Sequence, residues 1–165
     1  MYLNCHSFHS LRYGTIPLLD LVQQAVFCGV KIMALTDINT VTGIYDFIKA
    51  CKEAEIKPLV GIEFRCNHQL RYIGLAKNTN GLAEMNRFLT KNNFENSPLQ
   101  STAPDFNDVT IIYSFENKPT KLKAHEYIGI APDQLPKLFL PEWKVLLHKM
   151  VVLQPVTFRT KREFN

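Results

Sequence analysis

No apolar run in this sequence approaches the ~20 residues a membrane-spanning helix requires, and no basic stretch followed by an apolar core opens it as a secretory leader would. The expectation is a soluble, cytoplasmic protein with no membrane partner. The four cysteines, Cys5, Cys28, Cys51 and Cys66, include no C-x-x-C pair, so neither a zinc ribbon nor a thiol–disulfide redox motif is signalled. Cys28 and Cys51 fall in helical patterns and read as small buried apolar groups, and reduced thiols suit the cytosol. There is no glycine-rich phosphate loop, and nothing here should bind a nucleoside triphosphate. Charge of one sign is also scarce: 19 basic against 15 acidic side chains leave a net +4, which permits contact with nucleic acid without arguing for it.

What is present is an ordinary globular balance, 46% apolar and 21% charged over 165 residues, enough for one domain with a sizeable core. Residues 2–6 read as a short buried strand. A helix follows, with Pro17 in its first turn, Gly29 as its stop and Leu18, Leu19, Val22, Ala25 and Val26 as its apolar face. Residues 31–36 read as a strand, 42–54 as a helix facing inward through Ile44, Phe47, Ile48 and Cys51, and 57–64 as a third strand. A turn leads to its hairpin partner at 70–76. A third helix faces inward through Leu82, Met85, Phe88 and Leu89. Residues 92–108 are polar with two prolines and read as an exposed loop. Strands "VTIIYSF", "YIGI" and "VVLQPVTF" follow, with one-turn helical pieces between the last two. Strands starting near 2, 31 and 57, the first two each followed by a helix, match right-handed β–α units feeding a parallel sheet, open or closed into a barrel.

Parallel α/β folds place their sites at the carboxyl ends of strands. Here the first three strands end near His6, at Thr36-Asp37-Ile38-Asn39, and near Glu63, presenting an imidazole and two carboxylates to one rim. A metal reading is harder to sustain. His6 and His9 are three apart, and on a strand such residues face opposite sides. The same-side partner of His6 is Asn4, whose neutral amide oxygen is a poor zinc ligand. His9 reads first as a surface or capping histidine, with a loop-borne ligand as the alternative.

Four segments, "NCHSFHSLRYG", "ALTDINTVTGIYDFIKACKEAEIKPLVGIEF", "YIGLAKNTNGLAEMN" and "QPVTFRTKREFN", resemble in order the N-terminal polymerase-and-histidinol-phosphatase (PHP) domain of bacterial DNA polymerase III alpha subunits. The resemblance is strongest over 1–93, weak over 94–140 and returns near 150–165. It implies an α/β fold, a PHP-type distorted (β/α)7 barrel, incomplete in this stretch. Residues 1–165 would be a single PHP-like domain at the start of a longer chain, with 94–108 an exposed loop. The family opens with His-x-His, and those places fall on Asn4 and His6. Its next pocket position falls on Tyr13, the ligand histidine of its Thr-Asp-His falls on Ile38 after Asp37, and its glutamate after the third strand is matched by Glu63. Only His6 and Glu63 of these five ligand positions keep a ligand side chain. The resemblance therefore implies a vestigial pocket of Asn4, His6, Tyr13, Asp37, Ile38 and Glu63, without catalytic residues, bound metal or other cofactor. In that pocket, His6, Glu63 and nearby Asp37 would satisfy one another or the backbone by hydrogen bonds.

The leading expectation is a non-catalytic module of a replicative DNA polymerase III alpha subunit with a structural and docking role in DNA replication. Its partners would be the remaining polymerase domains, other replisome subunits and, indirectly, DNA. The parent chain would be a DNA-directed DNA polymerase, a nucleotidyltransferase. One alternative is a metal-dependent phosphoesterase or exonuclease using His6, His9, Asp37 and Glu63. Another is a nucleic-acid-binding module using Lys118, Lys121 and Lys123 with the basic run at 159–163, which otherwise reads as a solvated terminal segment.

Overall fold

A computed structural model of the protein describes residues 1–158, so the basic run at 159–163 lies outside the described residues. The alternation read from the sequence is present: β1 (Tyr2–Cys5), α1 (Leu18–Phe27), β2 (Ile32–Leu35), α2 (Ile44–Glu53), β3 (Lys57–Cys66), β4 (Gln69–Ala76), α3 (Thr79–Glu95), β5 (Val109–Ser114), β6 (Glu126–Ile130), a one-turn helix α4 (Pro141–Lys144) and β7 (Met150–Val152). The strands form one seven-stranded sheet in sequence order. β1, β2 and β3 run parallel, β4 runs back between β3 and β5, and β5, β6 and β7 are again parallel.

The sheet curls. Ala34, Ile73, Ile112 and Leu153 gather with Leu3, Leu59, Tyr127 and Val151 into one apolar cluster, so every strand or the segment directly after it contributes to a common interior. Beyond β7 the chain crosses to the free edge of β1, where Val156 forms a parallel bridge with Cys5. The His6 amide donates to the Val156 carbonyl at 2.9 Å and the Val156 amide to the Asn4 carbonyl at 2.9 Å. These bonds satisfy backbone groups that an open edge would leave bare. The result is a mixed α/β architecture built on one curled seven-stranded sheet.

The outer helical layer is uneven. α1 and α2 cover the outer face of β1 and β2 through Leu21, Val22, Phe47 and Cys51. α3 covers β3, β4 and β5 through Met85 and Leu89. Among the described residues, α4 and two 3-10 segments, Pro132–Phe139 and Leu147–Lys149, are what lies outside β6. Pro136 inside the first lacks the amide that a longer helix would need.

Four local expectations change. Cys51 is buried, whereas Cys28, just past the end of α1, is exposed. α1 buries Leu18, Leu21, Val22 and Ala25, whereas Leu19 and Val26 stay 63% and 51% exposed. The buried stripe follows i, i+3, i+4, i+7, and those two residues lie one step off it. α3 continues to Glu95 and closes on Asn96 in the left-handed conformation (φ 50°). The segment 94–108 is irregular but not exposed throughout: Phe94 faces solvent, while Leu99, Ala103 and Phe106 enter the core under α3 and β5.

Two glycines serve different needs. A Cβ on Gly14 would meet the Ser7 carbonyl oxygen at 1.9 Å, because the loop after β1 folds its own backbone onto itself there. Gly29 has open space around it but a φ of +65°. Gly14→Ala should therefore cost about 2 kcal/mol or more, against about 1 kcal/mol for Gly29→Ala. Urea unfolding of both variants checks this, and the reverse order would contradict the packing assigned to Gly14.

Candidate functional site

The carboxyl-end rim of β1, β2 and β3 holds two buried carboxylates, each with its own set of partners. Glu63, on β3, has no solvent exposure. Its Oε2 accepts from Asn4 Nδ2 at 3.0 Å and lies 2.9 Å from Nε2 of His6, itself 1% exposed. An ionised carboxylate only accepts, so that histidine nitrogen carries the proton. The other oxygen, Oε1, is ion-paired to Arg65 Nε. Asn4 Oδ1 in turn accepts from Thr36 Oγ1 at 2.8 Å, and His6 Nδ1 lies 3.5 Å from Thr157 Oγ1.

Arg65 is fixed on three sides. Its guanidinium lies 4.2 Å above the Tyr13 ring, a cation–π arrangement, and Nη1 donates to the His68 carbonyl at 3.2 Å. Its backbone is clasped by the Asn39 side chain, which accepts from the Arg65 amide at 3.0 Å and donates to its carbonyl at 2.9 Å. Burial alone would raise the Glu63 pKa. The hydrogen bond and charge of His6, then the charge and hydrogen bond of Arg65, outweigh it and hold the carboxyl below its ordinary range.

Asp37 does something else. Its Oδ1 accepts from the Ser7 amide at 2.7 Å and from Ser10 Oγ at 2.6 Å, and Oδ2 accepts from Ser7 Oγ at 2.7 Å. Ser10 Oγ also accepts from the Ile38 amide at 3.0 Å. Asp37 thus pins the loop after β1 to the end of β2. Beside it, burial first and the Asp37 charge second push the Cys5 thiol up to about 12, so Cys5 stays protonated at neutral pH.

The structure therefore brings Asn4, His6, Tyr13 and Glu63 together around Arg65. Asp37 joins this rim through its backbone, donated to by the Glu63 amide at 3.2 Å, while its carboxylate is spent on Ser7 and Ser10. Ile38 bridges Glu63 by backbone but is half-buried and lines an outer hollow of about 410 Å³ beside Phe8 and His9. His9 packs against Phe8, ring centroids 4.2 Å apart and the planes tilted by 36°. Among the described residues, no group of three or more His, Cys, Asp and Glu side chains is placed to hold a metal ion. Arg65 is a rim residue that the reading of strand ends does not single out. Its signal was there: two positions past Glu63 on one strand, it shares that carboxylate's face.

Residues 3–125 match the model of the PHP domain. The chain belongs to the PHP family. Over 172 aligned residues this PHP domain is 28% identical to the DNA polymerase III subunit alpha of Staphylococcus aureus, covering 98% of this chain and 16% of that protein. It is 34% identical over 90 residues to the error-prone DNA polymerase of Symbiobacterium thermophilum, covering 54% of this chain and 8% of that one. The chain thus spans less than a fifth of the length of either polymerase. Among solved structures, an amidohydrolase from Chromobacterium violaceum, with bound sulfate and no metal, aligns at a TM-score of 0.43 and 20% identity over 57% of this chain and 34% of that one. No helix among the described residues is long and apolar enough to cross a membrane.

The lowered pKa of Glu63 fixes the sign of an acid effect. A carboxylate depressed in the folded state contributes stability in full above its unfolded value, near 4.5, and that contribution fades as pH falls through the folded value. Glu63→Gln leaves Arg65 without its counter-charge and should cost about 3 kcal/mol at neutral pH. It should also flatten the loss of stability below the unfolded value. Unfolding midpoints across that acid range check both, and an acid limb as steep as the parent's would assign the effect to other carboxylates.

Proposed function

We propose that this PHP domain is a non-catalytic module of a bacterial replicative DNA polymerase chain of the alpha-subunit type, structural and docking in role. The observation that carries the reading is the Arg65 guanidinium ion-paired to Glu63. A metal ion in a PHP centre needs the oxygens of that glutamate. Here one oxygen faces a fixed positive charge and the other faces the N–H groups of Asn4 and His6. A divalent cation seated there would have to displace a guanidinium held by its own hydrogen bond and an aromatic face. The donor set does not fit a metal centre, because donors point where ligand lone pairs would have to be free. On this reading the pocket is degenerate: the arginine supplies the positive charge at the rim, and the fold has no need of an ion there.

The polymerase context is supported by the S. aureus match, which runs over nearly the whole of this chain. The remaining polymerase domains of such a chain are the first partners, other replisome subunits the next, and DNA is reached only through the full-length protein. The compartment is then the cytoplasm, and nucleotidyl transfer belongs to those other domains.

Elemental analysis of the purified protein and its melting temperature with and without a chelator test this. The expected result is zinc, manganese and iron well below one per chain, a melting temperature that EDTA leaves unchanged, and no turnover of bis(p-nitrophenyl) phosphate. Stoichiometric metal whose removal lowers the melting temperature, or phosphodiester hydrolysis lost in His6→Ala, would replace this reading with that of a metal-dependent phosphoesterase.

A further inference from the structure

β5 and β6 run parallel, and a parallel crossover usually carries a helix over the sheet. Here the connection, residues 115–125, is irregular, and it leaves a groove of about 700 Å³ on the outer face of β6. Leu122, Ile128 and Leu146 form its apolar floor. Lys118, Lys121 and Lys149 stand around it, with His148 beside them, and among the described residues no acidic side chain lines it.

Among the described residues, no carboxylate is ion-paired to these lysines. Lys118 Nζ donates to the Phe115 carbonyl at 3.4 Å and lies 4.4 Å over the Trp143 ring. Lys149 Nζ donates to the carbonyls of Lys123 and Ala124 at 3.0 and 2.6 Å and lies 5.1 Å over the Tyr127 ring. Neither is in an ion pair, whereas neighbouring Lys123 is paired to Asp105. An ammonium has three N–H donors, so Lys118 keeps two for a ligand and Lys149 one. Both are immobilised by neutral groups, so an incoming anion meets fixed charges whose ordering cost is already met by the fold. Glu126, at the start of β6, does not neutralise them: it is buried and accepts from Tyr113 Oη at 3.2 Å and from the Lys123 amide at 2.8 Å.

We infer that this groove is a docking site for an acidic peptide segment of a partner protein, its apolar side chain seated on Leu122 and Leu146 and its carboxylates on Lys118, Lys121 and Lys149. Single-stranded nucleic acid fits less well. Base stacking needs open aromatic faces, and Lys118 and Lys149 already lie over those of Trp143 and Tyr127. The inference rests on the docking reading above and gives it a surface and a partner chemistry.

Fluorescence anisotropy with the whole chain tests it. The probe is a short labelled peptide in which glutamates flank a leucine–phenylalanine pair. Controls are the same pair flanked by serines, and a labelled single-stranded oligodeoxynucleotide. The glutamate peptide should bind saturably and the serine peptide about tenfold more weakly. Lys118→Met, which keeps a stem for Trp143, combined with Lys121→Glu should weaken the glutamate peptide by a similar factor while leaving the unfolding midpoint in place. No saturation, equal binding of the serine peptide, indifference to the double variant, or tighter binding of the oligonucleotide would each overturn the site. A metal ion found at the Glu63 rim would remove the non-catalytic reading and leave a positive titration standing. A failed titration with a metal-free rim would remove the groove alone.

Discussion

A carboxylate with none of its surface in water has to be met by charge and by hydrogen bonds from inside the protein, and around Glu63 that demand organises the mouth of the barrel. Left alone there, the group would take up a proton, because an isolated buried ion costs more than a neutral acid. Three strands answer the demand together. β1 supplies Asn4, with His6 just past its end, Thr36 just past the end of β2 holds the Asn4 oxygen, and β3 supplies Arg65 from its own next same-face position. None of these contacts survives a one-residue slip, since a slip would turn each side chain to the helix side. The ion pair is therefore as much a statement about register as about charge.

The two rim acids divide the work. Glu63 ties strands to one another across the interior, and Asp37 ties the loop after β1 to the end of β2. The difference comes from their partners. Asp37 meets neutral serine hydroxyls and a backbone amide, the groups that order a turn. Glu63 meets a guanidinium and an imidazole, which compensate a full charge. The loop so ordered carries Tyr13, whose ring then lies under the guanidinium. The acid that shapes the loop thus also positions the aromatic face that steadies the arginine on the other acid.

Much of this was legible in the sequence, for identifiable reasons. Short apolar runs spaced by helical patterns gave the β–α order and the parallel start. The residues ending the first three strands marked the rim at His6, Asp37 and Glu63. Other features depend on tertiary contacts that periodicity does not carry. Leu19 and Val26 are apolar enough to be read as core, yet they lie off the stripe that meets the sheet. Leu99, Ala103 and Phe106 sit among polar residues and prolines, and their burial is set by where α3 and β5 leave room. Tyr13 was marked as a lost ligand position, and its role became visible only with a cation above it. Arg65 was passed over because a basic residue at a strand end usually reaches solvent. This one turns back along its strand, with β3 and β4 shifting register beside it between Phe64 and Arg65.

The two flanks of the barrel are stabilised by different means. Around β1 to β5, three helices of ten residues or more bury the outer face, and the polar groups left at the rim are neutralised within the protein. Around β6 the cover is thin, and the Lys118 ammonium lies over the rings of Phe115 and Trp143 where a helix would otherwise pack. An ammonium over an aromatic face is held by the ring's quadrupole while its stem covers apolar area beside it. Replacing a helix by such stems therefore substitutes charge for packing. The flank poorest in helical cover becomes the one where positive charge gathers without acidic partners, while the mouth, built around an acid, encloses its positive charge.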